Sequence, residues 1–361
     1  SGLSTGKLAA IDAEDFAGIG SAGIASLSTT QINSLSTSQW SMLSGSSAVG
    51  LSTQQLVSLG LSASATPGTS GLVYLSGSVF AALGAGQVQA LTSTQVGYLS
   101  TLQIAALGSS NIGQLAVEGL STVQLVGLES ADMAYLSSAA VDRLSAVQVG
   151  SLSDGQLKGL VSSNVASLKL SGLSTGKLAA IDAEDFAGLS AAAVGVLSTQ
   201  QVSSLSSAQL RALVPSNITQ LKVEGLSSAN IGGFDTSDLG ALSTSQWSML
   251  SGSSAVGLST QQLVSLGLSA SATPGTSGLV YLSGSVFAAL GAGQVQALTS
   301  TQVGYLSTLQ IAALGSSNIG QLAVEGLSTV QLVGLESADM AYLSSAAVAR
   351  LSVAQVASLS E

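Results

Sequence analysis

Neither cysteine nor histidine occurs in this chain, which removes disulfides, thiolate chemistry, zinc sites of the usual kind and imidazole acid–base catalysis. Charge is scarce too. Only 7% of residues are charged, against about 25% in ordinary soluble domains. The eight Lys and Arg and the net charge of −10 argue against nucleic acid, whose binding rests on many phosphate contacts. They argue equally against an anionic membrane surface. Although 46% of residues are hydrophobic, Ser, Thr, Gln or Gly breaks every apolar run well short of the 18 or so residues that a membrane span needs. The apolar residues are therefore expected in an internal core, under an exterior of Ser, Thr, Gln, Asn, Ala and Gly. Such a surface repels its copies weakly and suits assembly.

What the chain does have is an octad. Leu120, Leu128, Leu136, Leu144, Leu152, Leu160 and Leu168 follow one another at steps of eight, each usually followed by Ser and, five residues on, by another apolar residue. A continuous helix turning about 100° per residue would walk these leucines around its surface. A strand would place the two apolar positions on opposite faces. The pattern fits a helix start, repeated. With Ser100 as N-cap, Gln103 falls at N3 and completes a capping box, while Leu99 and Ile104 take the two positions of a hydrophobic staple. The sequence thus predicts an all-α solenoid of short capped helices, with a parallel β-helix as the alternative because Thr, Val and Ser also suit strands.

The leucine phase jumps by five residues at Leu115 to Leu120, Leu168 to Leu173, Leu221 to Leu226 and Leu322 to Leu327. Six octads and one such step make 53 residues, which reads as one turn of the solenoid. Asn111, Asn164, Asn217 and Asn318 occupy the octad before each jump. They would stack as a ladder on successive turns or satisfy local backbone at the corner; both are structural roles. Residues 1–18 recur unchanged as 171–188, and 35–141 as 242–348. The whole of 1–361 is expected to be one repeat solenoid and a piece of a longer array. Gly60 to Gly71, with Pro67, and Gly267 to Gly278, with Pro274, read as protruding loops, while Pro215 falls near N1, where proline is tolerated.

Asp12, Glu14 and Asp15, repeated as Asp182, Glu184 and Asp185, are the densest acidic cluster. They are calcium candidates, but the octad frame places Asp12 at a cap and Asp15 at N3, where capping accounts for them. Asn217-Ile218-Thr219 matches a glycosylation triplet and reads as chance. Lys7, Lys158, Lys169, Lys177 and Lys222 would permit a Ser-Lys dyad, yet nothing positions one, so no enzyme and no cofactor are expected. Trp40, Trp247, Tyr74, Tyr98 and Tyr135 read as core plugs, with a sugar-binding face as the other option.

The unit Leu-Ser/Thr-Thr-x-Gln-Val/Ile-x-x-Leu resembles the tandem repeats of very large exported or surface-associated proteins of Gram-negative bacteria. That resemblance implies an extracellular structural or adhesive role. The start of TAL-effector repeats is similar over one octad, but their repeat length, base-reading loop and basic residues are missing, and DNA binding is rejected. The expected function is a non-enzymatic structural protein of an extracellular filament, sheath or adhesin stalk that assembles with itself. The alternative is a module that binds glycan or a cell surface, and a weaker third idea is ice binding by a Thr/Ser array.

Overall fold

The structure is a computed structural model that describes residues 2–59, 71–266, 278–335 and 337–359. Among these residues there is no strand; helices of four to six residues alternate with 3-10 turns. The parallel β-helix is thereby excluded. The chain gathers into two compact units, Ser1–Ile181 and Asp182–Glu361.

Ser145 shows why each helix begins. Its backbone is extended (φ −71°, ψ 159°), its Oγ accepts from Gln148 N at 3.2 Å, and Gln148 Oε1 accepts from the Ser145 amide at 2.8 Å. Leu144 before the cap and Val149 after it are fully buried and staple the entry. Helix Ala146–Ser151 then stops at Leu152, whose extended backbone turns the chain and whose amide donates to Val149 O at 3.2 Å. Leu152 is also the residue before the next cap, Ser153. One leucine thus closes a helix and staples its successor. Ser100 and Gln103 have the same reciprocal geometry. Helices this short do not persist alone, so burial must hold them, at about 1.5–3 kcal/mol per fully buried Leu or Val.

That burial comes from stacking. In the first unit Thr5–Ala9 packs on Thr29–Ile32, Ala13–Phe16 on Thr37–Met42, and Ser21–Ala25 on Gly45–Ala48. Helix starts in contact are 24 residues apart, so a winding has three sides of one octad each. At the five-residue step, the 3-10 turn Val117–Gly119 takes a whole side, packed on Ser93–Tyr98 of the preceding winding and Ser138–Arg143 of the following one. Gly119 is required there: a Cβ would stand 2.0 Å from Ser93 O. Through that step the winding shortens to 21 residues, the offset between Thr101–Ala105 and Thr122–Val126.

These contacts correct the 53-residue turn. Six octads and a pentad make seven sides, which do not divide into three-sided windings, so the 53-residue spacing marks how often the pentad recurs and not where the coil closes. In the second unit the same stacking joins Thr236–Gly240 to Thr260–Ser265 and Gly252–Ala255 to Gly284–Ala289, and Val324–Gly326 takes a side beside Ser300–Tyr305. The expected loops around Pro67 and Pro274 lie outside the described residues. Their neighbours keep register by one octad: Gln87 Nε2 donates to Leu51 O, 36 residues back, where Gln39 reaches Ile11 O over 28.

Candidate functional site: the inter-winding seam

Every short helix leaves its last carbonyls without intrahelical partners, and here those carbonyls face the next winding. The N3 side chain meets them. Gln148 Nε2 donates to Leu120 O at 2.8 Å and Val117 O at 3.3 Å; Gln156 Nε2 donates to Leu125 O at 2.7 Å and Leu128 O at 2.9 Å. In the second unit Gln355 reaches Val324 O at 3.0 Å and Leu327 O at 2.7 Å. The amide oxygen closes the residue's own capping box while the nitrogen ties its helix to the winding before. Buried away from water, each of these bonds lacks a competing solvent partner.

Other residues at N3 do the same with a shorter arm. Asn111, Asn217 and Asn318 donate from Nδ2 to Leu83 O at 2.9 Å, Leu189 O at 2.6 Å and Leu290 O at 2.8 Å. Asn164 bonds Met133 O at 2.9 Å and Leu136 O at 3.0 Å, and its Oδ1 accepts from Val161 N. The asparagines therefore form neither a ladder with one another nor a purely local cap, since the amide of each donates to a leucine or methionine carbonyl of the winding before. Asn230, which the sequence reading passed over, bonds Val202 O at 3.0 Å. Ser47 and Ser254 reach Ile19 O and Leu226 O at 2.5 Å. One signal was in the sequence. A capping box accepts Glu as readily as Gln, yet among the described residues no helix has Glu at N3.

The acidic cluster is arranged differently from the capping account. Asp12 and Asp182 hold the extended N-cap conformation, but neither side chain makes a cap hydrogen bond. Asp12, Glu14, Asp15, Asp182 and Glu184 are exposed and Asp185 is buried. Among the described residues no three His, Cys, Asp or Glu side chains converge on a point that could hold a metal ion. Lys177 and Lys222 donate from Nζ to Gly150 O at 2.5 Å and Leu197 O at 2.7 Å, so they too serve the seam. Trp40 and Trp247 are core residues, whereas Tyr135 and Tyr342 are more than half exposed.

Asp132, Asp185, Asp238 and Asp339 are buried carboxylates at the third helix position. Asp238, at N3 of Thr236–Gly240, is buried; its Oδ2 accepts from Asp235 N at 3.0 Å, and Asp235 Oδ1 accepts from Asp238 N at 2.8 Å. Burial is the main cause that pushes its carboxyl above the ordinary value of 3.8; the backbone bond and Arg211 oppose that, and the charge of Asp235 adds to it. An open hollow of about 310 Å³ lies beside it, lined by Gly232, Phe234, Asp235, Thr236, Ser259, Gln261 and Gln262.

The fold and its seam define a helical, solenoid-like tandem-repeat protein. Four segments, residues 8–45, 80–117, 178–215 and 287–324, match the ALTTAQ repeat. No curated protein matches the chain. Among solved structures, a leucine-rich repeat-containing protein of Legionella pneumophila aligns over 78% of this chain and 78% of its own at 13% identity, with a TM-score of 0.14 that carries no argument. No described helix is long and apolar enough to cross a membrane.

Proposed function

We propose that the chain is a non-enzymatic structural protein, an octad solenoid that self-assembles into an extracellular filament, sheath or adhesin stalk on a bacterial surface. The observation that carries this reading is the seam. Winding after winding, the polar N3 side chains are engaged in bonding one turn to the previous one, the investment expected of a body whose purpose is extent and rigidity. The near-uncharged exterior favours packing of copies. The Cys-free acidic composition and the resemblance to repeats of large exported Gram-negative proteins support the location. Negative-stain microscopy across a concentration series tests it: extended or laterally joined particles are expected, and dispersed single particles at every concentration would overturn assembly.

A second reading, a glycan- or surface-binding module, is favoured by exposed Tyr135 and its copy Tyr342, at 56% and 57% exposure. Tyrosines held out of the core suit stacking on sugar rings. A glycan array probed with the chain and with Tyr135→Ala/Tyr342→Ala separates the readings; binding lost with the tyrosines favours the module.

A further inference from the structure

The exposed apolar side chains are not scattered. Leu102, Val123 and Val147 are 79%, 72% and 74% exposed, and Leu309, Val330 and Val353 are 80%, 71% and 88% exposed; no other large apolar side chain among the described residues exceeds 57%. All six lie at the first turn of helices that stack on one side of their unit. Thr101–Ala105 packs on Thr122–Val126, which packs on Ala146–Ser151. In the second unit Thr308–Ala313, Thr329–Val333 and Val353–Ser358 follow each other in the same way. Each unit thus presents an aliphatic stripe across three windings.

Over these windings the side carries no charge; in the first unit its next winding, at Leu170–Gly172, brings Lys169. Octads 99–107, 120–128 and 144–152 contain no Asp, Glu, Lys or Arg, nor do 306–314, 327–335 and 351–359. The helices stacked before them, Gly45–Ala48 with Gly77–Ala82 and Gly252–Ala255 with Gly284–Ala289, are uncharged as well. In the first unit the neighbouring side carries Glu118, Asp142 and Arg143, and the third carries Glu129, Asp132, Asp154 and Lys158.

We propose that this aliphatic stripe, on windings that carry no charge, is the surface on which two copies of the chain dock, stripe against stripe. The inference rests on the assembly reading above and names its interface and chemistry. Two chains of net charge −10 repel, and an approach through either acidic side sets carboxylates against carboxylates. Through these uncharged windings that repulsion is least, and the most exposed Leu and Val of the molecule leave water. An identical patch on both partners is what an isologous contact requires. A basic or nucleic-acid partner finds no countercharge there.

The absence of native cysteine provides the test. In the full chain, Val123→Cys is compared with Gln54→Cys and Ser38→Cys, exposed residues at the same N2 position of helices on the other two sides. Under mild oxidation Val123→Cys is expected to give disulfide-linked dimer at least about tenfold over either control, and Val123→Lys to shift assembly, read by sedimentation, to tenfold higher concentration with an unchanged helical circular dichroism signal. Wild-type assembly accompanied by linkage only at Ser38 or Gln54, or undisturbed by Val123→Lys, overturns the proposed face and leaves assembly standing. A wild-type chain that sediments as monomer at all concentrations, with no variant linking, overturns both.

Discussion

Gln148 Nε2 lies 2.8 Å from the carbonyl oxygen of Leu120, a residue 28 positions earlier in the chain and one winding away. The same side chain closes its own capping box through Oε1. Exchanging Gln148 for Glu preserves the capping oxygen and replaces the donor by a carboxylate oxygen facing Val117 O and Leu120 O. In an isolated helix that exchange is nearly neutral. Here it leaves Leu120 O without a donor, while Val117 O keeps the Leu120 amide, and sets a buried charge beside both, at an expected cost of roughly 2–4 kcal/mol. Urea unfolding at neutral pH checks this, with Gln148→Ala beside it. A Glu variant as stable as the parent would show that the inter-winding bonds contribute nothing.

Two glycines separate geometry from propensity. Gly119→Ala drives a methyl to 2.0 Å from Ser93 O, so the pentad must lift from the preceding winding. The variant is expected to lose about 2–4 kcal/mol, as overpacked interiors do. Gly86, inside Ala85–Gln89, has nothing within 4 Å of its would-be Cβ, and Gly86→Ala is expected to gain about 0.5–1 kcal/mol from helix propensity alone. Thermal melts of the two variants should move in opposite directions.

The visible ion pairs are expected to matter little. Arg143 and Glu118 approach to 4.0 Å with both side chains well exposed. Removing both in Glu118→Gln/Arg143→Gln should leave stability within about 0.5 kcal/mol of the parent. A melt in high salt that costs the parent much more would mean that this pair, or its counterpart Arg350 and Glu325, is stronger than its exposure allows.

What could be read from the sequence was what is local. Ser100, Gln103, Leu99 and Ile104 lie within six residues of one another, and their spacing alone specifies cap, box and staple. The other half of Gln103 was not legible, because its bond to Leu75 O crosses 28 residues and depends on the angle the chain takes at each Leu-Ser corner. No residue encodes that angle by itself; it follows from packing three short helices around one core. For the same reason the 53-residue recurrence suggested a turn. A periodicity counts units, whereas the number of sides per winding is a tertiary fact. The partner of Asn111 was equally out of reach, since only the winding order makes Leu83 its neighbour.

Asp238 is where pH should be felt. It stands at N3, the position from which Asn217 in its own helix donates to Leu189 O at 2.6 Å, but an ionised carboxylate can only accept. Its carboxyl is raised above 3.8, chiefly by burial, so folding favours the protonated form. The stability this group contributes is then fully present below its unfolded value and is lost as pH rises through the folded one. At any pH above that raised value the parent carries an ionised, buried Asp. Asp238→Asn retains an oxygen for the Asp235 amide and adds a donor, and is expected to raise the melting temperature at pH 7 by about 2–4 °C, corresponding to roughly 1 kcal/mol in a unit of this size. As pH falls toward the ordinary carboxylate range the parent gains its own proton, and the difference between the two melts should close. A difference that stays constant from pH 7 down to pH 4 would assign the gain to something other than this carboxyl.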